Sequence, residues 1–191
     1  MSFSDLNFNK KRFSLLTTIL LILTSLSAVA LAKNTAKNNQ VIPSNVIIDK
    51  VYVDKSERVL KLLSNDKVIK TYHIALGDSP VGHKRQEGDE RTPTGSYKLD
   101  YKNENSSYYR SIHVSYPNAA DKAQARKRGV SPGGDIMIHG SATTAQVNKL
   151  PKLMDYLPQK DWTWGCVAVR NVDMDEIWTL VDDGTIITIY P

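Results

Sequence analysis

Residues 46–76 read VIIDKVYVDKSERVLKLLSNDKVIKTYHIAL. Three runs rich in β-branched and apolar residues, Val46 to Asp54, Arg58 to Leu63 and Val68 to Leu76, are separated by the turn-like pairs Lys55-Ser56 and Asn65-Asp66. Each run has the length of an ordinary strand, and the polar pairs between them suit tight reversals, so the stretch predicts an antiparallel meander. No regular βαβ alternation follows it. The predicted fold class is therefore mainly β or α+β, on an antiparallel or mixed sheet.

Downstream of the meander, Gly77 to Thr94 is long, charged and rich in Gly and Pro, which in a compact domain marks a functional loop rather than a spacer. Ser96 to Tyr101 and Arg110 to Tyr116 are further strand candidates. Asn118 can cap a helix from Ala119 to Arg128 that Gly129 ends, with Arg126, Lys127 and Arg128 where the helix dipole favours cations. Asp135 to Ile138 reads as a short apolar strand leading into His139. Thr143 to Leu157 has helical spacing but contains Pro151, so a broken or late-starting helix is expected there. From Asn171 a clearer helix carries Val172, Met174, Ile177, Trp178 and Val181 on one stripe, with Gly184 closing it, and Thr185 to Tyr190 reads as the last strand.

Upstream, Lys10, Lys11 and Arg12 precede an uncharged run from Phe13 to Ala32 that ends in Ala30-Leu31-Ala32. This is the positive, apolar, A-x-A order of a secretory signal. The competing reading is an uncleaved anchor, since the run approaches the ~20 residues that span a bilayer. Thr17, Thr18, Thr24, Ser25 and Ser27 dilute it and favour cleavage. Either way, the folded part is expected outside the cytoplasmic membrane, in the periplasm or cell envelope. Residues 33–45 read as a polar linker, which leaves 46–191 as one domain of ordinary size.

The 191 residues are 41% apolar and 24% charged, which excludes collagen-like and wholly disordered chains. The net charge is +5, and removing residues 1–32 takes away three basic residues and Asp5, leaving 22 basic against 19 acidic, or +3. So small an excess gives little support for nucleic-acid binding.

An exported chain with one cysteine cannot close an internal disulfide, so Cys166 is either buried or used. The histidines at 73, 83, 113 and 139 show no HExxH spacing and there is no second Cys, so neither metal nor cofactor is expected. His73 reads as a strand-face residue, and His83 and His113 as structural. A GxSxG elbow and a GxxxxGK[ST] loop are absent from the sequence too. A Cys nucleophile needs a base and N–H donors aimed at the developing oxyanion. Thr163-Trp164-Gly165-Cys166 supplies a permissive Gly beside the thiol, and Ile138-His139-Gly140 supplies an imidazole at the end of an apolar strand.

These two segments resemble the HG and [ST]-x-G-C signatures of the L,D-transpeptidase catalytic domain, the YkuD-like family. Thr92-Pro93-Thr94-Gly95, within Gly88 to Tyr97, is similar to the family's TPxG segment, and Ser131-Pro132-Gly133-Gly134 fits one subgroup. The resemblance spans roughly residues 47–190. It implies a β-sandwich-type core with a few peripheral helices, and a thiol acyltransferase acting on peptidoglycan stem peptides. Cys166 would attack the carbonyl of the third residue of a tetrapeptide stem, His139 would shuttle the proton, and the backbone amides of Trp164, Gly165 and Cys166 would form the oxyanion hole. The acceptor would be an amine of a neighbouring stem or of a protein to be anchored.

Two departures stand out from the pattern. Trp164 occupies the place where many members have His, and Ala168 the place where they often have Arg. Arg170, two residues on, projects to the face of Ala168 and Cys166 if the stretch is extended, and is a candidate grip on a substrate carboxylate. Arg91, Gly140, Thr163 and Trp164 are the other candidate substrate-binding residues, Trp164 as a pocket wall rather than a core aromatic. The departures resemble a subgroup with members that hydrolyse cell-wall amides, so an amidase or carboxypeptidase using the same Cys166 and His139 stays open. So does a non-catalytic wall-binding module with Cys166 buried. The membrane enters only through the N-terminal segment, if it is retained.

Overall fold

The computed structural model describes residues 46–191; the expected N-terminal signal and the whole of the expected linker lie outside the described residues. The meander forms as its polar turns dictate. Strands β1 (Lys50–Asp54), β2 (Val59–Ser64) and β3 (Lys67–His73) pair antiparallel in sequence order. Asn65 and Asp66 take left-handed backbone angles, φ 49° and 61°, as a two-residue reversal with the right twist requires.

Five more strands complete the sheet: β4 (Gly95–Ser106), β5 (Tyr109–Val114), β6 (Met137–Gly140), β7 (Val167–Val169) and β8 (Ile186–Tyr190). Their order is β3-β2-β1-β8-β4-β5-β6-β7, with β1–β8 and β6–β7 parallel and the remaining pairs antiparallel. Just past β3, Ala75 bridges Ala168 and Gly77 bridges Thr163, so the two ends of the strand order meet. The architecture is a mixed sheet with few helices, mainly β or α+β. Alternate residues Val51 and Val53, Leu60 and Leu62, Val167 and Val169, and Ile187 and Ile189 are at most 1% exposed and build the core.

Among the described residues three α-helices flank it: α1 (Ala119–Lys127), α2 (Thr144–Lys149) and α3 (Asn171–Leu180). Asn118 caps α1 through bonds from the Ala120 and Asp121 amides, and Gly129 leaves it at φ 68°. Pro151 ends the second helical stretch as expected, the chain resuming as a 3-10 turn over Pro151–Asp155.

The structure corrects four details. β4 continues to Ser106, past Tyr101, because the polar Lys102 and Asn103 pair with Ile112 and Ser111 in a projecting hairpin. β6 starts at Met137, Asp135 having a left-handed φ of 53° that no strand accommodates. Helix α3 stops at Leu180; Gly184, at φ 90°, instead serves the turn into β8. Its apolar stripe buries Met174 and Ile177, while Val172 is 38% exposed and lies off the stripe.

Candidate active site

The parallel pairing of β6 with β7 brings the two sequence segments together. Ile138 pairs with Val167 and His139 with Ala168. Paired residues share a face, and so do residues two apart on a strand, so Cys166, immediately before β7, opens on the face that carries His139. Both side chains line one cavity of about 490 Å³.

His139 is 5% exposed, and Tyr108 stacks on its ring at 5.1 Å while Trp162 meets it edge-on at 5.7 Å. Its Nδ1 lies 2.6 Å from the Gly140 carbonyl oxygen. A carbonyl only accepts, so Nδ1 carries the proton and Nε2 the free lone pair. Burial holds the imidazole below its ordinary pKa, opposed by the bond to Gly140, so the ring is neutral and able to take a proton. The Cys166 sulfur accepts from the Met137 amide at 3.4 Å and lies 3.5 Å from the Asp135 carbonyl. Burial pushes the thiol above its ordinary pKa; the Met137 amide and the charge of Lys84 pull it down. The two directions favour a resting pair of neutral thiol and neutral imidazole over a stored thiolate–imidazolium pair.

The nucleophile turn is organised from within. Thr163, 4% exposed, donates its hydroxyl to the Cys166 carbonyl at 2.8 Å and accepts the Gly165 amide at 3.2 Å. The Gly165 N–H is therefore occupied, whereas the Trp164 and Cys166 amides donate to no protein acceptor among the described residues. Of the three amides expected to form an oxyanion hole, these two remain free to do so. Gly165 itself, at φ 122°, admits the Arg91 carbonyl to within 2.6 Å of where a Cβ would stand. No other residue fits there.

Of the candidate substrate-binding residues, Thr163 lines the 490 Å³ cavity, and both it and Gly140 hold the site's backbone. A Cβ on Gly140 would lie 2.5 Å from Asn171 Oδ1. Asn171, fully buried, accepts the Ser141 and Ala142 amides at 3.0 and 3.1 Å and donates to the Ala142 carbonyl at 3.0 Å, fixing the turn after His139. Trp164 is 83% exposed and forms the rim between the 490 Å³ cavity and a second one of about 450 Å³ that also reaches Cys166, a pocket wall and not a core aromatic. Lys84, paired with Asp89 at 2.8 Å, lines that second cavity.

Two arginines do not join the thiol. Arg170 lines a separate cleft of about 1020 Å³ and is held by Asp173 at 2.6 Å and by Asp155. The Arg91 guanidinium points toward Gly82, and only its backbone carbonyl approaches the nucleophile turn. Tyr108, Trp162, Asn171 and Lys84 escape the sequence reading; the spacing of Trp162 and Trp164 about Thr163 is the one local signal that could have drawn Trp162 in.

The sequence model described as the L,D-transpeptidase catalytic domain (YkuD) matches residues 48–189. YafK of Escherichia coli K12, named for L,D-transpeptidase activity, is 26% identical over 155 residues, covering 74% of this chain and 53% of that protein. The chain thus spans about half the length of the relatives it matches. The crystal structure of the helical cell shape determining protein Pgp2 from Campylobacter jejuni superposes with a TM-score of 0.56 at 24% identity, covering 83% of this chain and 53% of the other. Bd1075 of Bdellovibrio bacteriovorus gives 0.53 at 23% identity, covering 78% and 49%. At these identities the likeness is one of fold.

Proposed function

The chain belongs to the L,D-transpeptidase catalytic-domain family, and from that premise we propose that it forms an acyl-enzyme on Cys166 with a peptidoglycan tetrapeptide stem and passes the acyl group to an amine. The observation that carries this reading is the convergence of two cavities, about 450 and 490 Å³, on one sulfur, the larger of them lined also by the imidazole of His139. One cavity can seat the acyl donor while the other admits the acceptor.

In this reading Nε2 of His139 takes the thiol proton as sulfur attacks the carbonyl carbon of the third stem residue. The resulting oxyanion is received by the free Trp164 and Cys166 amides. Collapse breaks the amide bond to the terminal residue, whose nitrogen takes the proton from the imidazolium and leaves as D-alanine. The incoming amine then attacks the thioester, gives its proton to His139, and the thiolate leaves and is reprotonated. Bond exchange of this kind needs no nucleotide, which suits the envelope location that the N-terminal segment supports.

Hydrolysis is the second reading, and the exposure of Trp164 favours it. An indole 83% open to solvent does not shield a thioester from water unless bound substrate covers both. That Cys166 lines two cavities instead of filling the core supports a catalytic reading over a wall-binding module. Mass spectrometry of muropeptides after incubation with the purified protein and a stem amine separates the outcomes. Crosslinked product supports transfer, trimmed stems alone support hydrolysis, and unchanged muropeptides with wild type but also with Cys166→Ala contradict both.

A further inference from the structure

Lys55, in the turn between β1 and β2, is 2% exposed. Lysines are almost never this buried unless paired with a carboxylate, because an ammonium leaves water at great cost. The Lys55 Nζ touches no carboxylate among the described residues. It donates instead to the Gly82 carbonyl at 2.5 Å and the Thr92 carbonyl at 3.0 Å. Gly82 lies on the outgoing arm of the 77–94 loop and Thr92 on its returning arm, so one ammonium ties the two arms together. Burial, and then repulsion from Arg58 and Arg91, push its pKa down to about 8, with Asp89 acting weakly in the ammonium's favour. Arg58 is in turn fixed by Asp161 at 2.7 Å and donates to the Lys55 carbonyl.

What the clamp holds is the nucleophile turn. The carbonyl of Arg91, next to Thr92, rests against Gly165, 2.6 Å from its would-be Cβ, and the carbonyl of Glu90 rests against Gly77 even more closely, at 1.9 Å. Gly165 stands between the two free amides, those of Trp164 and Cys166. A shift of the returning arm therefore moves both donors, and the path from Lys55 runs through two adjacent peptide groups only.

We propose that Lys55 is a positioning residue for acyl transfer, setting the oxyanion-binding amides of Trp164 and Cys166 by clamping the Gly82 and Thr92 carbonyls and so pressing the Arg91 carbonyl onto Gly165. An apolar side chain of the same length would fill the space without the desolvation cost of the ammonium, so packing alone does not explain a lysine here. The inference rests on the acyl-transfer reading, and its test keeps the two apart.

The full chain is treated with two reagents that use the same sulfur. Iodoacetamide alkylates it by displacement at carbon, with iodide leaving and no oxyanion formed. p-Nitrophenyl acetate acylates it through a tetrahedral oxyanion, forming the acetyl thioester and releasing p-nitrophenolate, which is read by absorbance. Lys55→Met is expected to leave the alkylation rate within about twofold of wild type and to lower the acylation rate by about 10- to 100-fold, the cost of misplaced donors. Lys55→Gln repeats the test if the Met variant does not fold. Equal falls in both rates, an unchanged acylation rate, or failure of both variants to fold each assigns Lys55 to structure alone and overturns the proposal. A wild-type Cys166 that iodoacetamide modifies and the ester does not would instead overturn the acyl-transfer reading itself.

Discussion

Replacing Asn171 by alanine removes a fully buried side chain that lines neither cavity at Cys166, yet it should damage both stability and catalysis. In the native fold its amide satisfies three backbone groups, the half-buried N–H of Ser141 and the buried N–H and C=O of Ala142, at 3.0 to 3.1 Å. Each group left unpaired in the interior costs ~1–3 kcal/mol, and partial relaxation or entry of water recovers some of it. A net loss of about 3 kcal/mol is expected, a fall in melting temperature of about 6–12 °C for a domain of this size. Thermal unfolding followed by circular dichroism measures it. The same turn carries the Gly140 carbonyl that orients His139 Nδ1, so acylation of Cys166 should also slow at temperatures where the variant is fully folded. A variant that melts within about 2 °C of wild type would refute the assignment of Asn171 as the brace of the histidine turn.

Four further expectations come from the same geometry. Because burial raises the thiol and lowers the imidazole, the iodoacetamide rate should climb through pH 8 to 10 with no thiolate plateau near pH 6; a plateau at low pH would show a preformed ion pair. The depressed pKa of His139 contributes stability that is present above its unfolded value of ~6.5 and is lost as pH falls through the folded value. His139→Gln should therefore flatten the acid limb of the stability curve, and an unchanged limb would contradict the buried neutral ring. Arg170→Ala should leave acylation of Cys166 within about twofold, since Arg170 lies in another cleft, while Trp164→Ala should raise the ratio of hydrolysed to transferred product without stopping acylation; loss of acylation would make the indole a donor-stem contact.

The parts of the fold legible in the sequence are those encoded locally. The meander of residues 46–76, the Asn118 cap and the break at Pro151 each follow from a few adjacent residues whose chemistry permits one outcome. His139 and Cys166 were also legible, because a Gly beside each leaves a recognisable pattern. The polar end of β4 was not, since Lys102, Asn103 and Ser106 are held in a strand only by partners on β5. Tyr108, Trp162 and Asn171 acquire their roles through contacts between distant segments, around one imidazole and one turn. Arg170 illustrates a parity argument carried one residue too far. It caps helix α3 instead of extending β7, and Asp173 in the first turn of that helix draws its guanidinium aside.

The central claim is that Cys166 carries the acyl group, with His139 as its base. Intact-mass spectrometry of the protein mixed with a tetrapeptide stem tests it most directly. The account predicts a covalent adduct equal to the stem minus its terminal D-alanine, mapped to Cys166, with free D-alanine released, absent from Cys166→Ala and slowed in His139→Gln. Release of D-alanine by Cys166→Ala, or an adduct mapped to any other residue, would contradict it.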